Sequence, residues 1–252
     1  MRQTCGVDGG GGEEGEEVGM APLPAPSPAA IMARVMAFPD PHRHPTLRRA
    51  VDRAVATPFA RCITTIAIGW ILTSIYTALN WALVPRFEFV LALDAAVPFL
   101  PWTILVYWSY YFLFVAAAWR LTPQPFLRVV GDLVLASVLS WACFLTLPAH
   151  VPRPDPSLLA EPWRTFYSHL HAIDPPGNSV PSLHVALSLL VGYSLRRQPA
   201  GWLWPVWGAV IALSTLTTRQ HVLIDLAAGI ALAFGVRLLR RAPPVAATPS
   251  DG

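Results

Sequence analysis

The sequence contains no lysine, so all 18 of its basic residues are arginine. P-loop nucleotide-binding proteins, Schiff-base enzymes and protein kinases each depend on a lysine, and these three classes are therefore excluded. Charged residues make up only 13% of the 252 residues, about half of their share in soluble domains, whereas 54% are hydrophobic. This balance disfavours a soluble globular fold and is typical of a polytopic membrane protein.

Cysteine is also scarce, with Cys5, Cys62 and Cys143 in no metal-like spacing. An odd number of scattered cysteines predicts neither a disulfide framework nor a zinc cluster. The net charge of +3 comes from arginines beside the apolar segments, where they are expected to set membrane topology. We therefore expect membrane lipids as partners, and no nucleic acid.

Two terminal segments differ in composition from the rest of the chain. Residues 1–45 combine a glycine run, an acidic stretch at Glu13 to Glu17 and many prolines, and they are predicted to be disordered, as are residues 242–252. Residues 46–241 are predicted to form one membrane domain. Within this domain, the arginine-rich composition of the segment from Arg48 to Arg61 predicts a basic helix on the membrane surface.

The apolar segments predict an all-α fold, a polytopic bundle of six transmembrane helices. A span needs about 20 apolar residues, so the fourth and fifth segments are short. The segment from Phe87 to Pro101 is apolar but is interrupted by acidic residues and prolines, which favours a position at the interface. The six predicted spans are Cys62 to Leu83, Trp102 to Trp119, Val129 to Leu147, Pro181 to Leu195, Trp202 to Thr218, and His221 to Leu239.

The distribution of arginine predicts the orientation of these spans. If the N-terminus is cytoplasmic, 14 arginines lie on the inner side and only Arg86, Arg153, Arg164 and Arg219 lie outside. This is the bias of the positive-inside rule, and six spans return the C-terminus to the cytoplasm. We therefore predict a multi-pass protein of the cell membrane.

Four ionisable residues interrupt the predicted spans, namely Asp132, His184, His221 and Asp225. Such groups are costly near hydrocarbon and usually face a partner or a cavity. His221 and Asp225 are four residues apart, so they share one helix face, and the carboxylate would leave the second ring nitrogen of His221 ready to act as a nucleophile. A buried ion pair that only joins two helices is the alternative. Asp132 has no predicted role beyond a possible structural pair with Arg128.

The segment around His184 predicts an anion site at the outer face. Pro181 suits the first position of a helix, and the free amides of the first turn favour an anion next to Ser182 and His184. Arg153 and Arg219 flank the same predicted pocket and are expected to bind phosphate oxygens. Each arginine taken alone would instead be interpreted as an anchor in the lipid headgroup region. The aromatic residues of the outer loop, with His169 and His171, predict either a lid over an acyl chain or, preferably, an interfacial belt.

The sequence NSVPSLHVALSLL from Asn178 to Leu190, with TRQHVLID from Thr218 to Asp225, resembles the second and third motifs of the type 2 phosphatidic acid phosphatase superfamily. Among its branches, the chain is most similar to inositol phosphorylceramide synthases. This resemblance implies a six-helix bundle and metal-independent phosphoryl transfer without a cofactor. It assigns His221 as nucleophile, Asp225 as its orienting carboxylate and His184 as general acid.

The chain departs from the family at two cations. The first motif normally has a lysine seven residues before its Arg-Pro pair, and here Arg153-Pro154 is preceded by Thr146. The third motif normally has an arginine six residues before the nucleophile, and here that position is Thr215. These changes put ordinary phosphatase activity in doubt more than the chemistry of the histidines.

We therefore expect an enzyme that acts on a lipid phosphate or phosphodiester at the extracytoplasmic face. Arg153, Arg219 and Ser182 would bind the phosphate, and no metal is expected. Two alternatives remain open: a zinc-dependent intramembrane hydrolase with the histidines as ligands, and a lipid transporter in which they relay protons.

Overall fold

The computed structural model describes residues 45–240, and these residues are mostly helical. The predicted all-α class is thus confirmed, whereas both predicted disordered tails, apart from Pro45, lie outside the described residues. The helices are α1 (Pro45–Val55), α2 (Pro58–Ala82), α3 (Ile104–Trp108), α4 (Tyr110–Arg120), α5 (Pro123–Thr146), α6 (Trp163–Ile173), α7 (Leu183–Ser194), α8 (Leu203–Thr217) and α9 (Leu223–Leu239).

Three helical segments of the described chain are long and apolar enough to cross a membrane. They are α2, the continuous segment Pro101–Arg120 that contains α3 and α4, and α5. They correspond to the first three predicted spans. The helices in the other three predicted spans have 12, 15 and 17 residues, fewer than the roughly 20 that a perpendicular span requires.

The predicted surface helix is shorter than the sequence indicated. It ends at Val55, because Thr57 and Pro58 start a new helix, with the Thr57 hydroxyl accepting the Ala60 amide at 3.1 Å. Arg61 therefore lies inside α2, where it is buried. Its guanidinium donates to the carbonyls of Ala118 and Val55 at 2.7 Å each, which joins α1, α2 and α4.

Helix α7 lies at the centre of the bundle, packed against α4, α5, α8 and α9. Two glycines let α7 and α8 approach closely. A Cβ at Gly192 would lie 2.6 Å from the Trp204 carbonyl oxygen, and a Cβ at Gly208 would lie 2.6 Å from the Ser188 carbonyl oxygen. The helix that carries His184 is therefore held by backbone contact and has little freedom to move.

Gly229 provides the corresponding contact between α9 and the start of α7. A Cβ there would lie 2.7 Å from the Ser182 carbonyl oxygen and 2.8 Å from Val185 Cβ. We expect Gly229→Ala to lower the free energy of unfolding by about 1 to 3 kcal/mol, the usual range for overpacking. Thermal unfolding of the detergent-purified variant measures this effect. Gly235→Ala is the matched control on the same helix, since nothing lies within 4 Å of its Cβ, and a similar loss there would contradict the packing argument.

The connection between α2 and α3 contributes two short structures at one end of the bundle. Strand β1 (Phe87–Glu88) pairs in parallel with β2 (Ala149–His150), and the Ala92–Ala96 turn follows. The buried carboxylate of Asp94 in this turn accepts the amides of Leu91 at 2.7 Å and Leu223 at 2.8 Å. Because Leu223 is the first residue of α9, Asp94 ties this segment to the helix that follows His221.

One face of helix α6 packs against the rest of the protein, so at least Tyr167 does not belong to the interfacial belt that the sequence favoured. Tyr167 is fully buried and Leu170 almost so, and both form a core with Ile104. Burial raises the pKa of the Tyr167 phenol, so the side chain stays neutral. Helix α6 thus covers the start of α3.

Candidate active site

His221 and Asp225 meet as the sequence predicted, but by a different local geometry. His221 Nδ1 lies 3.1 Å from Asp225 Oδ2, and the Asp225 side chain is completely buried. Helix α9 begins only at Leu223, after an extended Val222, so the two residues do not share a helix face. The same carboxylate oxygen accepts the Val222 amide at 3.2 Å, which fixes the carboxylate from the helix side.

The turn that follows α8 positions His221. The Thr215 carbonyl accepts the amides of Gln220 at 3.0 Å and His221 at 3.1 Å, which folds the chain back on the end of α8. This turn requires Arg219 to adopt a left-handed conformation, with φ of 54°. The backbone of His221 is therefore fixed on both sides, by Thr215 before it and by the start of α9 after it.

The structure places Arg219 on backbone carbonyls. Its guanidinium donates to the carbonyl of Asp94 at 3.0 Å and to that of Val97 at 2.6 Å. Two of its donors are thus used to attach the Ala92–Ala96 turn to the end of α8. These two bonds allow Arg219 to position this turn, and its binding to phosphate stays a prediction.

His184 is the second residue of α7 and lies between two tyrosines. Its ring stacks on Tyr107 with centroids 4.0 Å apart, and the ring of Tyr110 lies at 4.4 Å. The Tyr107 hydroxyl lies 3.2 Å from His184 Nδ1. His184 Nε2 is buried and has no hydrogen-bond partner among the described residues, so this nitrogen is available to a bound substrate.

Ser182 connects His184 to Asp225 through the backbone. It is the N-cap of α7, with its hydroxyl 3.4 Å from the Val185 amide, and its own amide donates to the Asp225 carbonyl at 3.2 Å. The helix therefore starts two residues after Pro181, which does not occupy the predicted first position. Since Ser182 is fully buried, its hydroxyl serves the cap.

Arg153 is held by Asp174, a residue that the sequence did not single out. The guanidinium donates to the Asp174 carbonyl and lies 3.5 Å from its carboxylate, which also accepts Tyr76 Oη at 2.9 Å and Asn80 Nδ2 at 3.0 Å. Arg153 Nε is buried and has no hydrogen-bond partner in the described residues. Arg153 and His221 both lie near enough to His184 to influence it electrostatically. The described residues thus bring His184, His221, Asp225 and Arg153 to one region.

His171 lies next to this region and stays neutral at physiological pH. Burial and the nearby Arg153 charge lower the pKa of His171 to about 4. Its Nε2 lies 3.4 Å from the Gln220 amide nitrogen, which can only donate, so the imidazole nitrogen accepts this contact.

The lowered pKa of His171 predicts a pH dependence of stability. The neutral ring contributes fully above the unfolded pKa of about 6.5, and this contribution is lost as the pH falls toward 4, because the unfolded state then binds more protons. We expect the melting temperature of the protein to fall over this range, and to fall less in His171→Gln. Thermal unfolding in detergent from pH 7 to pH 4 measures the difference. Parallel curves for the two proteins would contradict the assignment.

Two residues important for the site carried little sequence signal. Tyr107 and Tyr110 lie in an apolar span, where an aromatic residue normally contacts lipid, and only packing against α7 brings them to His184. Asp174 could have been predicted as a partner of Arg153, since it is an acidic residue in the same loop. Asp132, in contrast, pairs with Arg240 at 2.6 Å and not with Arg128 as predicted.

A metal centre requires several His, Cys, Asp or Glu side chains grouped around one point. Within residues 45–240, no group of three or more His, Cys, Asp and Glu side chains is arranged to hold a metal ion. The contact with Asp225 fixes the orientation of the His221 imidazole, and the His184 imidazole lies nearby.

Comparison with known proteins gives one family. No match was found among curated proteins or among solved structures. A model of the PAP2 superfamily matches residues 102–239, which contain His184, His221, Asp225 and Arg153. This superfamily generally comprises phosphatases and phosphotransferases, and together with the apolar helices it indicates a membrane enzyme. The chain belongs to the PAP2 superfamily.

Proposed function

We propose that this protein transfers or hydrolyses the phosphoryl group of a lipid phosphate or phosphodiester through a covalent phosphohistidine on His221. The observation that carries the proposal is the contact of His221 Nδ1 with the buried carboxylate of Asp225 at 3.1 Å. This contact holds the Nδ1 proton on the carboxylate side and leaves the Nε2 lone pair for phosphorus. A buried carboxylate also stabilises the positive charge that develops on the ring.

The reaction has two displacements. His221 Nε2 attacks phosphorus in line, the bond from phosphorus to the lipid oxygen breaks, and His184 gives its proton to the departing alkoxide. Water or an acceptor hydroxyl then attacks the phosphohistidine, its proton passes to His184, and the bond from nitrogen to phosphorus breaks. Tyr107 supports both steps because a hydroxyl can donate to or accept from His184 Nδ1.

Arg153 is the cation that we assign to the nonbridging phosphate oxygens. Asp174, Tyr76 and Asn80 hold its environment in place, and its Nε remains for a ligand. Phosphoryl transfer gains most from cations fixed in this way. Thr215, at the family's arginine position, is buried and bonds to its own helix at the Ala212 carbonyl. Fewer cations act on the phosphate than in the phosphatase form of the motif, which supports the branch similar to inositol phosphorylceramide synthases.

In this proposal, the protein crosses the membrane six times, with both termini in the cytoplasm and the active site at the extracytoplasmic face. Large apolar side chains are exposed along α2 and α4, including Trp70, Phe112 and Trp119, which supports contact with lipid tails. The short helices α7 and α9 both begin near the site, so their N-termini would lie below the membrane surface. A lipid phosphate could then reach His221 from the bilayer.

The experiment that tests the proposal measures phosphate release and headgroup exchange by the purified protein in EDTA. The substrates are phosphatidic acid and a phosphoinositide, each labelled on phosphorus, with and without an acceptor alcohol. We expect turnover in EDTA and a labelled protein intermediate that is stable in alkali and labile in acid, as phosphoramidates are. Activity that appears only with added zinc would overturn the proposal in favour of a metal hydrolase. Lipid movement across liposomes without chemical conversion would favour a transporter.

A further inference from the structure

A basic cavity of about 710 Å³ lies at the end of α9 opposite His221. Helix α9 has 17 residues, so roughly 25 Å separates its two ends at about 1.5 Å per residue. The cavity is therefore separate from the candidate active site. Its charged lining consists of Arg128 from α5, Arg196 and Arg197 from the turn after α7, Arg237 and Arg240 from the end of α9, and Asp132.

The lining carries a large excess of positive charge. Asp132 is its only acidic residue against five arginines, and Asp132 pairs with Arg240 at 2.6 Å. The guanidinium groups of the lining come from three elements and converge on a shared space. Like charges that converge in this way repel one another, so a bound anion would stabilise the arrangement.

The arginines of this cavity are positioned by specific contacts. The guanidinium groups of Arg196 and Arg237 lie over the ring of Tyr193, at 3.7 Å and 3.9 Å from its centroid. Arg196 also donates to the Tyr193 carbonyl at 2.8 Å. Gly131 leaves the space for Arg240, since a Cβ there would lie 2.7 Å from a guanidinium nitrogen. Arginines that only set topology, or anchor a helix in the headgroup region, need no such arrangement.

We infer that this cavity binds the headgroup of a membrane phospholipid that carries two phosphate groups. Guanidinium forks match phosphate oxygens in pairs, and the volume lies in the range of ordinary ligand sites. Phe234, Leu238 and Leu239 are exposed along the same end of α9, where the acyl chains of such a lipid would lie. This apolar surface next to the arginines favours a lipid over a soluble anion. Under the predicted topology, the lipid belongs to the cytoplasmic leaflet.

The test measures binding of cardiolipin, which has two phosphates, to the full-chain protein in phosphatidylcholine nanodiscs. The double variant Arg128→Gln with Arg197→Gln should weaken saturable binding about 30-fold, since each basic residue near an anionic surface contributes about a factor of five. The matched control is Arg49→Gln with Arg53→Gln, two exposed arginines of α1 on the same predicted side. We expect the control to change the affinity by less than about threefold. If the double variant does not fold, Arg197→Gln against Arg53→Gln gives the same comparison, with about a fivefold loss.

Three outcomes would overturn the inference. The first is an equal loss of affinity in the pocket variant and the α1 control, which would show diffuse attraction to the membrane. The second is equally tight binding of phosphatidylglycerol at matched total charge, which would remove the requirement for two phosphates. The third is equally tight binding of soluble pyrophosphate to the protein in detergent, which would identify a free anion as the ligand. Binding is measured without turnover, so these outcomes are independent of the proposed enzymatic activity.

Discussion

His221→Ala is expected to abolish phosphate release and headgroup exchange, with a fall in kcat on the order of 10⁴-fold or more. The variant removes the nitrogen that attacks phosphorus, so the covalent route is lost and only the stabilisation by Arg153 and the binding site remains. The labelled protein intermediate should disappear together with turnover. Initial rates in EDTA and acid-labile labelling of the protein measure both effects on the same preparation.

His169→Ala is the control for this variant. His169 is exposed on α6, and its Nδ1 lies 2.8 Å from the Thr165 carbonyl of its own helix, so it is expected to leave turnover unchanged. The kcat of His184→Ala should lie between those of the two variants, with a loss of about 10²- to 10⁴-fold. This is the range for general acid catalysis. A full rate in His221→Ala would contradict the mechanism, and a large loss in His169→Ala would favour the zinc alternative.

The sequence was sufficient to predict the helical class and the meeting of His221 with Asp225. Long apolar segments with few charges rarely form anything other than membrane helices. A histidine and an aspartate four residues apart also remain close whether the helix includes both or begins between them. The structure has the second arrangement, with Val222 extended. His221 and Asp225 still make contact because the Asp225 carboxylate accepts the Val222 amide at the helix start.

The backbone partners of Arg219 could not be predicted from the local sequence. Its partners are the carbonyls of Asp94 and Val97, more than 120 positions earlier in the chain. The local sequence shows only that a positive charge precedes His221. A positive charge next to a candidate nucleophile is readily interpreted as a group that binds phosphate. The same reason applies to Asp132, because its partner Arg240 directly follows α9, far away in sequence, and Arg128 was the nearest candidate.

The tyrosines around His184 depend on packing in the same way. An apolar helix with several aromatic residues gives no indication of which residues face lipid and which face the bundle. Gly192 and Gly208 bring α7 and α8 together, α4 packs against both helices, and α3 packs against α8. This packing turns Tyr107 and Tyr110 toward His184 and leaves Tyr111 and Phe112 exposed.

Asp225→Asn is expected to lower kcat by about 10²- to 10⁴-fold while the protein remains folded. The amide oxygen can still accept the Val222 amide, so the helix start is preserved. The negative charge that stabilises the imidazolium form of His221 is lost, and that charge matters most as phosphorus is attacked. We therefore expect the loss in kcat, with KM changed little. Steady-state kinetics and thermal unfolding of the same preparation separate these effects.

Asp94→Asn provides the structural comparison for this variant. Asp94 is also buried and also holds the start of α9, but it accepts two amides, one on each carboxylate oxygen, and an asparagine has only one such oxygen. Asp94→Asn should therefore lower the melting temperature more than Asp225→Asn and lower kcat less. If Asp225→Asn instead reduces stability and activity in the same proportion as Asp94→Asn, its carboxylate supports only the helix start, and the orientation of His221 must come from another group.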